Sequence, residues 1–353
     1  MPSAREITIG PVTVGLGRPP LVIAEMSGNH NGSLDRALEL VEIAARAGAH
    51  ALKLQTYTAD TMTIDKSEGE FFIADPNSLW QGNSLYSLYQ KAMTPWEWHA
   101  PIFQRCRELG MIGFSSPFDA SAIDFLETLE VPAYKIASFE NIDLPLIRKA
   151  ASTGKPIIIS TGMATIAEID EAVRAAREAG CEQLMLLKCT SSYPAPPEAS
   201  NLATIPHMRE LFGCEVGLSD HTMGIGVALA SVAYGATAIE KHFTLSRDDG
   251  GVDSAFSAEP DELAALVRES ARVAVAGGAV AYGPTDADRA SLQFRRSLYV
   301  VEDLKADETL TPANLRAIRP GLGLSPKFID TLIGKRVNRD VARGTAMSWD
   351  LIA

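Results

Sequence analysis

Two stretches decide the fold: Glu215-Val-Gly-Leu-Ser-Asp-His221 and Ala238-Ile-Glu-Lys-His-Phe-Thr244. Each is an apolar run that ends in polar, reactive residues, and each follows a helix-like stretch and a glycine-containing turn. A buried parallel strand has this texture, apolar within the sheet and chemically active at its carboxyl end. His221 and His242 stand near the ends of two successive strands. If those strands are neighbours in a closed barrel, the imidazoles converge at its mouth, where a divalent metal can bind. Working outward, the same pattern occurs eight times, over residues 21–26, 51–57, 112–118, 133–138, 156–162, 184–190, 215–221 and 238–244. Between these windows lie stretches rich in Ala, Leu, Glu and Arg with 3.6-residue periodicity. Residues 33–47 form one, with Ser33 as N-cap and Gly48 as stop. Residues 165–179, closed by Gly180, form another, and a helix running from the 260s to Val275 follows the last strand. Eight strand–helix alternations over about 250 residues predict a (β/α)8 TIM barrel of the α/β class. An open doubly wound sheet is the alternative, disfavoured because no Gly-rich dinucleotide turn follows the first strand.

The flanks differ from this pattern. Residues 5–20 read as a short β-hairpin with turns at Gly10-Pro11 and Gly15-Leu16-Gly17. Residues 58–94 are long for a connection from strand to helix, so they predict a lid or substrate-facing insertion; a local aromatic core under the loop is the alternative. The barrel domain is assigned to residues 1–282 and a polar linker to 283–295. Residues 296–353 form a small β-rich domain whose thin core requires docking on something else.

Composition bounds the function. The chain has 353 residues, 46% of them hydrophobic, enough for a large core. A net charge of -12 argues against a broad nucleic-acid surface, and any anion site must rely on local lysines and arginines. No signal-peptide core or membrane-length apolar run is present, which predicts a cytoplasmic protein without a membrane partner. The four cysteines, Cys106, Cys181, Cys189 and Cys214, lack close metal-type spacing and read as reduced core thiols.

Active sites of such barrels gather at the carboxyl ends of the strands. In order these ends offer Glu25 with Asn29-His30-Asn31; Lys53 and Gln55; Ser115-Ser116; Lys135, Ser138 and Glu140; Ser160-Thr161; Lys188, Thr190, Ser191 and Tyr193; Ser219 and His221; Glu240 and His242. Period-two alternation puts Lys53 with Gln55, Ser219 with His221, and Glu240 with His242 on one face. Buried lysines and hydroxyls suit a phosphate and a carboxylate. Two histidines suit a divalent transition metal whose other positions are filled by water or substrate. An inward lysine is also the nucleophile of a Schiff-base aldolase, which stays open as a second mechanism.

The chain resembles the nonulosonic acid (sialic acid) synthases over nearly its whole length. The resemblance is carried by Ile23-Ala-Glu-Met-Ser-Gly-Asn-His-Asn-Gly32, Lys53-Leu-Gln55, Phe114-Ser-Ser-Pro-Phe118 and Tyr134-Lys-Ile-Ala-Ser-Phe-Glu140. It continues through Ser160-Thr-Gly-Met163, Cys189-Thr-Ser-Ser-Tyr-Pro194, Gly217-Leu-Ser-Asp-His221 and Ile239-Glu-Lys-His-Phe243. Arg296-Ser-Leu-Tyr299 and Arg319-Pro-Gly-Leu-Gly323 look like the family's antifreeze-like (SAF, β-clip) domain. Leu85-Tyr-Ser-Leu-Tyr89, Thr94-Pro-Trp-Glu-Trp-His99 and Ala137-Ser-Phe-Glu140 resemble the pseudaminic acid branch most closely.

The resemblance implies a phosphoenolpyruvate-dependent, carbon–carbon bond-forming transferase. The implied partners are phosphoenolpyruvate and the aldehyde form of an N-acetylated amino sugar, 2,4-diacetamido-2,4,6-trideoxy-L-altrose for the pseudaminic branch. N-acetylneuraminate or legionaminate synthesis is the alternative outcome. It implies a divalent metal, manganese first with magnesium or cobalt as alternatives, held by His221 and His242. Lys53, Ser116, Lys135, Ser138, Ser160, Ser191 and Ser219 are implied for phosphoenolpyruvate, with Ser191 departing from the asparagine of the sialic branch. Glu25 and Glu140 are the implied acid–base carboxylates, and Gln55, Tyr193 and Asp253 are assigned to the sugar. Arg319 is implied to reach the active site of a partner in a domain-swapped homodimer. A non-catalytic sugar- or ice-binding module, suggested by the tail alone, leaves the strand-end lysines and histidines without use.

Overall fold

The computed structural model describes residues 6–353. A short antiparallel hairpin, β1 (Ile7–Ile9) and β2 (Val12–Val14), comes first, as expected; Arg5 of the predicted window lies outside the described residues. Eight parallel strands follow: β3 (Leu21–Glu25), β4 (Ala51–Thr56), β5 (Ile112–Pro117), β6 (Tyr134–Ile136), β7 (Ile157–Ser160), β8 (Leu184–Cys189), β9 (Glu215–Asp220) and β10 (Ala238–His242). They pair in chain order and β10 closes on β3, forming the predicted barrel.

Side-chain alternation builds two cores. Leu21, Ile23, Ala51, Phe114, Ile158, Met185 and Leu187 fill the barrel interior together with Ile7, Ile9 and Val14 of the hairpin, which plugs the amino-terminal mouth. The opposite parity, including Val22, Ala24, Leu52, Leu54, Leu186 and Val216, packs on the surrounding helices. The helix Leu34–Arg46 shows why its sequence folds so. Ser33 accepts the amide of Arg36, and Ala37, Leu40, Val41 and Ala44 make one buried stripe. Ile166–Glu178 starts with a Thr165/Glu168 capping box. In β9, a Cβ on Gly217 would overlap the Ala238 carbonyl and the Leu187 side chain, so only glycine lets β8, β9 and β10 approach this closely.

The chain divides into two compact units, the first ending at Gly278 and the second covering Ala279–Ala353. The division thus falls earlier than the expected linker at 283–295. The second unit has an antiparallel pair, β11 (Ser297–Val300) and β12 (Leu315–Ile318), over a small core of Leu298, Val300, Leu310, Leu315, Leu332 and Val337. Among the described residues no helix is long and apolar enough to cross a membrane.

Candidate active site

Above the apolar interior, the inward parity of every strand turns polar. Glu25 ends β3, Lys53 and Gln55 end β4, Ser116 ends β5, and Lys135 lies on β6. Ser160 ends β7, Cys189 ends β8, and Ser219 leads to His221. Glu240 and His242 end β10. Ladder register sets Glu25 beside both Lys53 and His242. Lys53 Nζ lies 2.8 Å from Glu25 Oε2 and 3.7 Å from Glu240 Oε1, and donates to Ser116 Oγ at 3.2 Å. Lys135 Nζ reaches the same Glu240 oxygen at 3.7 Å, and Ser219 Oγ donates to it at 3.2 Å. Gln55 donates to Glu25 at 2.9 Å and to Ser27 Oγ at 3.1 Å, and Ser27 in turn donates to Asp253.

Hydroxyls rim the neighbouring strand ends. Ser138 Oγ accepts the Gly162 amide at 3.1 Å. A Cβ at position 162 would collide with Ser191 Oγ and Ser138 Oγ, so Gly162 leaves a cradle between two hydroxyls. Ser160 Oγ is buried without a partner and is aimed, like its parity mates, at the barrel interior. Lysines, free hydroxyls and a glycine cradle suit an anionic group.

The two imidazoles do converge: the rings of His221 and His242 are 5.4 Å apart between centres. His221 Nδ1 stands 2.9 Å from the Thr190 carbonyl. A carbonyl only accepts, so Nδ1 carries a proton and Nε2 is the nitrogen left to face an ion. His242 Nδ1 is buried and unpartnered, 3.7 Å from Asp253 Oδ2. Burial, with the charges of His221 and Lys53, holds His242 well below the usual imidazole range, so it is neutral. Two imidazole nitrogens with a carboxylate beside them fit a divalent ion, which would take the place of any proton on His221 Nε2. Among the described residues no three of His, Cys, Asp and Glu are grouped closely enough to hold a metal alone, so solvent or substrate would have to complete the coordination of any ion bound there.

The carboxylates are tuned apart. Burial raises Glu25, opposed by Lys53 and reinforced by Glu240, whereas Lys135 and Lys53 outweigh burial and lower Glu240. Burial raises Glu140 to about 7 against the pull of Lys135, and one of its oxygens has no partner. The folded chain therefore holds the Glu140 proton between pH 4.5 and about 7, where the unfolded chain releases it. Stability contributed by this group falls as pH rises through that window, by up to about 3 kcal/mol. Glu140→Gln is expected to flatten the loss of melting temperature between pH 5 and 8; an unchanged slope counts against this burial.

A cavity of about 290 Å³ opens beside these groups, bounded by Ser27, Gln55, Glu140, Tyr193, His242 and Asp253. Its other wall is apolar and comes largely from the insertion: Met62, Ile73, Trp80, Leu85, Leu88 and Tyr89. The insertion thus faces the site. Trp80 Nε1 donates to the Val252 carbonyl at 3.0 Å, tying it to the loop after β10.

Residues 40–282 match the NeuB family, and residues 295–353 match the SAF domain. The chain belongs to the NeuB family. It is similar to the pseudaminic acid synthase of Helicobacter pylori, with 41% identity over 94% of this chain and 98% of that one. It is also similar to the N,N'-diacetyllegionaminic acid synthase of Campylobacter jejuni, with 34% identity over 89% of this chain and 95% of the relative. Among solved structures, an N-acetylneuraminic acid (sialic acid) synthetase from Leptospira borgpetersenii in complex with citrate superposes with a TM-score of 0.73. It is 32% identical and covers 83% of this chain and 96% of that one.

In this NeuB-family chain the barrel unit brings together every residue assigned to metal, substrate or acid–base work except Arg319. Arg319 lies in the second unit, exposed, just beyond β12. Two strand-end candidates face away from the site. Ser115 bonds Thr56 Oγ1 at 2.6 Å, within a network reaching His99, and Lys188 caps the Cys189 carbonyl at 2.9 Å. Both have the outward parity of their strands. All four cysteines are free and buried, as expected, but Cys189 lies at the site and not in the apolar core. Its Sγ lies 3.9 Å from both His221 Nδ1 and Ser191 Oγ. Burial pushes this thiol up, but His221 and Ser138 bring it down to about 7. Ser27 was missed as well. Continuing the period of two past Leu187 and past Glu25 would have found both.

Proposed function

We propose that this chain condenses phosphoenolpyruvate with the aldehyde form of 2,4-diacetamido-2,4,6-trideoxy-L-altrose and water, giving pseudaminic acid and phosphate. The observation that carries the reading is one site with two chemically distinct halves. Lysines and hydroxyls line the strand ends, and an apolar wall bounds the cavity beside them. The first half suits a triply charged enol phosphate. The second suits acetamido methyl groups and a deoxygenated carbon, whereas a polyhydroxylated chain would leave hydroxyls unpaired there. The similarity to pseudaminic acid synthases supports the same sugar.

In the reaction, Lys53 and Lys135 offset the charge of phosphoenolpyruvate, and Ser116, Ser138, Ser160, Ser191 and Ser219 donate to its oxygens. Gln55, Tyr193 and Asp253 orient the sugar so that its aldehyde meets carbon 3 of the enol. Carbon–carbon bond formation leaves an oxocarbenium ion at carbon 2, which the Glu25 and Glu240 carboxylates face. Water adds at carbon 2, and the tetrahedral intermediate expels phosphate by C–O cleavage. Glu140, poised near neutrality, and Glu25 are the groups that can exchange protons with the aldehyde oxygen and the water. A divalent ion, manganese first, would be held by His221 and His242 and supplies Lewis-acid polarisation of the aldehyde.

The chain acts in the cytoplasm as a domain-swapped homodimer, with Arg319 completing the partner's site. Support comes from its exposed position and from the small core of its unit. Arg319→Ala is expected to lose at least 100-fold in kcat/KM, about 3 kcal/mol, without a change in melting temperature. Mixing it with Lys53→Met subunits should restore roughly a quarter of wild-type turnover, because half the dimers then carry one intact site. No restored activity after verified subunit exchange rules out the swap.

The sugar is tested by offering phosphoenolpyruvate with the diacetamido-altrose, a diacetamido-mannose or N-acetylmannosamine and weighing the nine-carbon acids formed. Preferential product from the altrose compound is expected. Preference for N-acetylmannosamine would transfer the chain to sialic acid synthesis.

A further inference from the structure

One fully buried ion pair near the mouth touches none of the groups assigned to substrate. Lys241 Nζ donates to Asp220 Oδ2 at 2.7 Å and to the Thr222 carbonyl at 2.6 Å. Asp220 Oδ1 accepts from the Thr222 amide at 3.0 Å and from its hydroxyl at 2.8 Å. Asp220 and Lys241 are register partners on β9 and β10. Both side chains of the ion pair are 1% exposed. Each immediately precedes an imidazole, so alternation sends the pair outward where His221 and His242 turn inward.

A dry lysine–aspartate pair is a poor device for stability, because desolvation consumes much of the attraction and apolar residues of like volume do as well or better. What the pair does supply is directional register. It joins the two strands one residue before each histidine and pins Thr222, one residue after His221, from three sides. Around the rings themselves, the Thr190 carbonyl and the Tyr193 ring at 4.4 Å hold His221, and the Phe256 ring at 5.0 Å packs on His242, but none of these joins the two strands.

We propose that Asp220, Lys241 and Thr222 form a positioning clamp that fixes the spacing of His221 and His242 and so sets the affinity of the site for a divalent ion. The proposal rests on the metal reading above and extends it to residues that contact neither metal nor substrate. It separates two roles that a buried ion pair is usually credited with together. The fold tolerates loss of the clamp, whereas the imidazole pair does not. Outer groups that orient metal ligands typically change affinity 10–100-fold when removed.

The test uses the full-length chain with both charges removed at once, Asp220→Leu with Lys241→Met, so that no orphan charge remains. Manganese binding is measured directly by the loss of the free-ion electron paramagnetic resonance signal, alongside thermal unfolding and phosphoenolpyruvate binding. The expected result is a variant that still folds, with a melting temperature lowered by loss of the Thr222 bonds, unchanged phosphoenolpyruvate affinity without metal, and manganese affinity at least tenfold weaker. Affinity within twofold of wild type in the folded double variant overturns the clamp. If that variant does not fold, Asp220→Asn keeps the shape and removes one charge. A threefold or greater weakening is then expected, and none overturns the proposal. Wild-type protein that binds no manganese sinks the metal reading and the clamp with it; a wild type that binds, with an insensitive variant, sinks the clamp alone.

Discussion

Lys53→Met is expected to lower kcat/KM for phosphoenolpyruvate by at least a thousandfold, about 4 kcal/mol, while the barrel stays folded. The lysine is the hub of the polar layer, within 4 Å of Glu25 and Glu240 and bonded to Ser116. A unit charge at that distance contributes about 4 kcal/mol to an anion even at an effective dielectric constant of 20. Methionine keeps the volume and removes the charge. The two carboxylates are then left facing each other, and Glu25, already raised by burial, takes up a proton and limits the damage to the fold. Loss should appear in phosphoenolpyruvate binding by calorimetry as well as in turnover. Normal binding with lost turnover would instead give Lys53 a chemical role, and a borohydride-stable adduct with pyruvate would favour the Schiff-base mechanism.

His242→Ala is the second large effect. Its Nδ1 has no hydrogen-bond partner, so truncation orphans no other group. The structural cost is lost packing against Phe256 and His221, about 1–3 kcal/mol and a melting temperature lowered by a few degrees. The functional cost should be of another order. Manganese binding should disappear and turnover should fall at least a thousandfold, because a two-imidazole site reduced to one loses its chelate. Wild-type activity that survives exhaustive chelation would remove the metal from the reaction.

Much of this was legible in the sequence, for identifiable reasons. The strands were legible because buried parallel strands combine apolar runs with a reactive carboxyl end, as in β9 and β10. Period-two alternation then placed Lys53 with Gln55 and Glu240 with His242 inside the barrel. Alternation was less useful where several polar residues adjoin. Ser115 and Ser116 differ only in phase, and the phase is fixed by Phe114 entering the interior cluster. Lys188 faces out for the same reason, since Leu187 faces in. Cys189 reads as an apolar filler because thiols usually are, although its parity with Leu187 and Ser191 points inward.

The insertion at 58–94 was recognisable by length alone. Its aromatics had no periodicity to say whether they pack on themselves or on the site. The Trp80 bond to Val252, far along the chain, decides that question. The Asp220–Lys241 pair was invisible for a related reason: opposite charges on different strands meet only once the register is known.

The most direct test of the reaction assigned to the barrel mouth uses phosphoenolpyruvate labelled with oxygen-18 at the bridging oxygen, together with the diacetamido-altrose and manganese. The expected result is one labelled phosphate for each pseudaminic acid formed, the mark of C–O cleavage after carbon 3 attacks the aldehyde. Unlabelled phosphate, or phosphate released without a nine-carbon product, would contradict it.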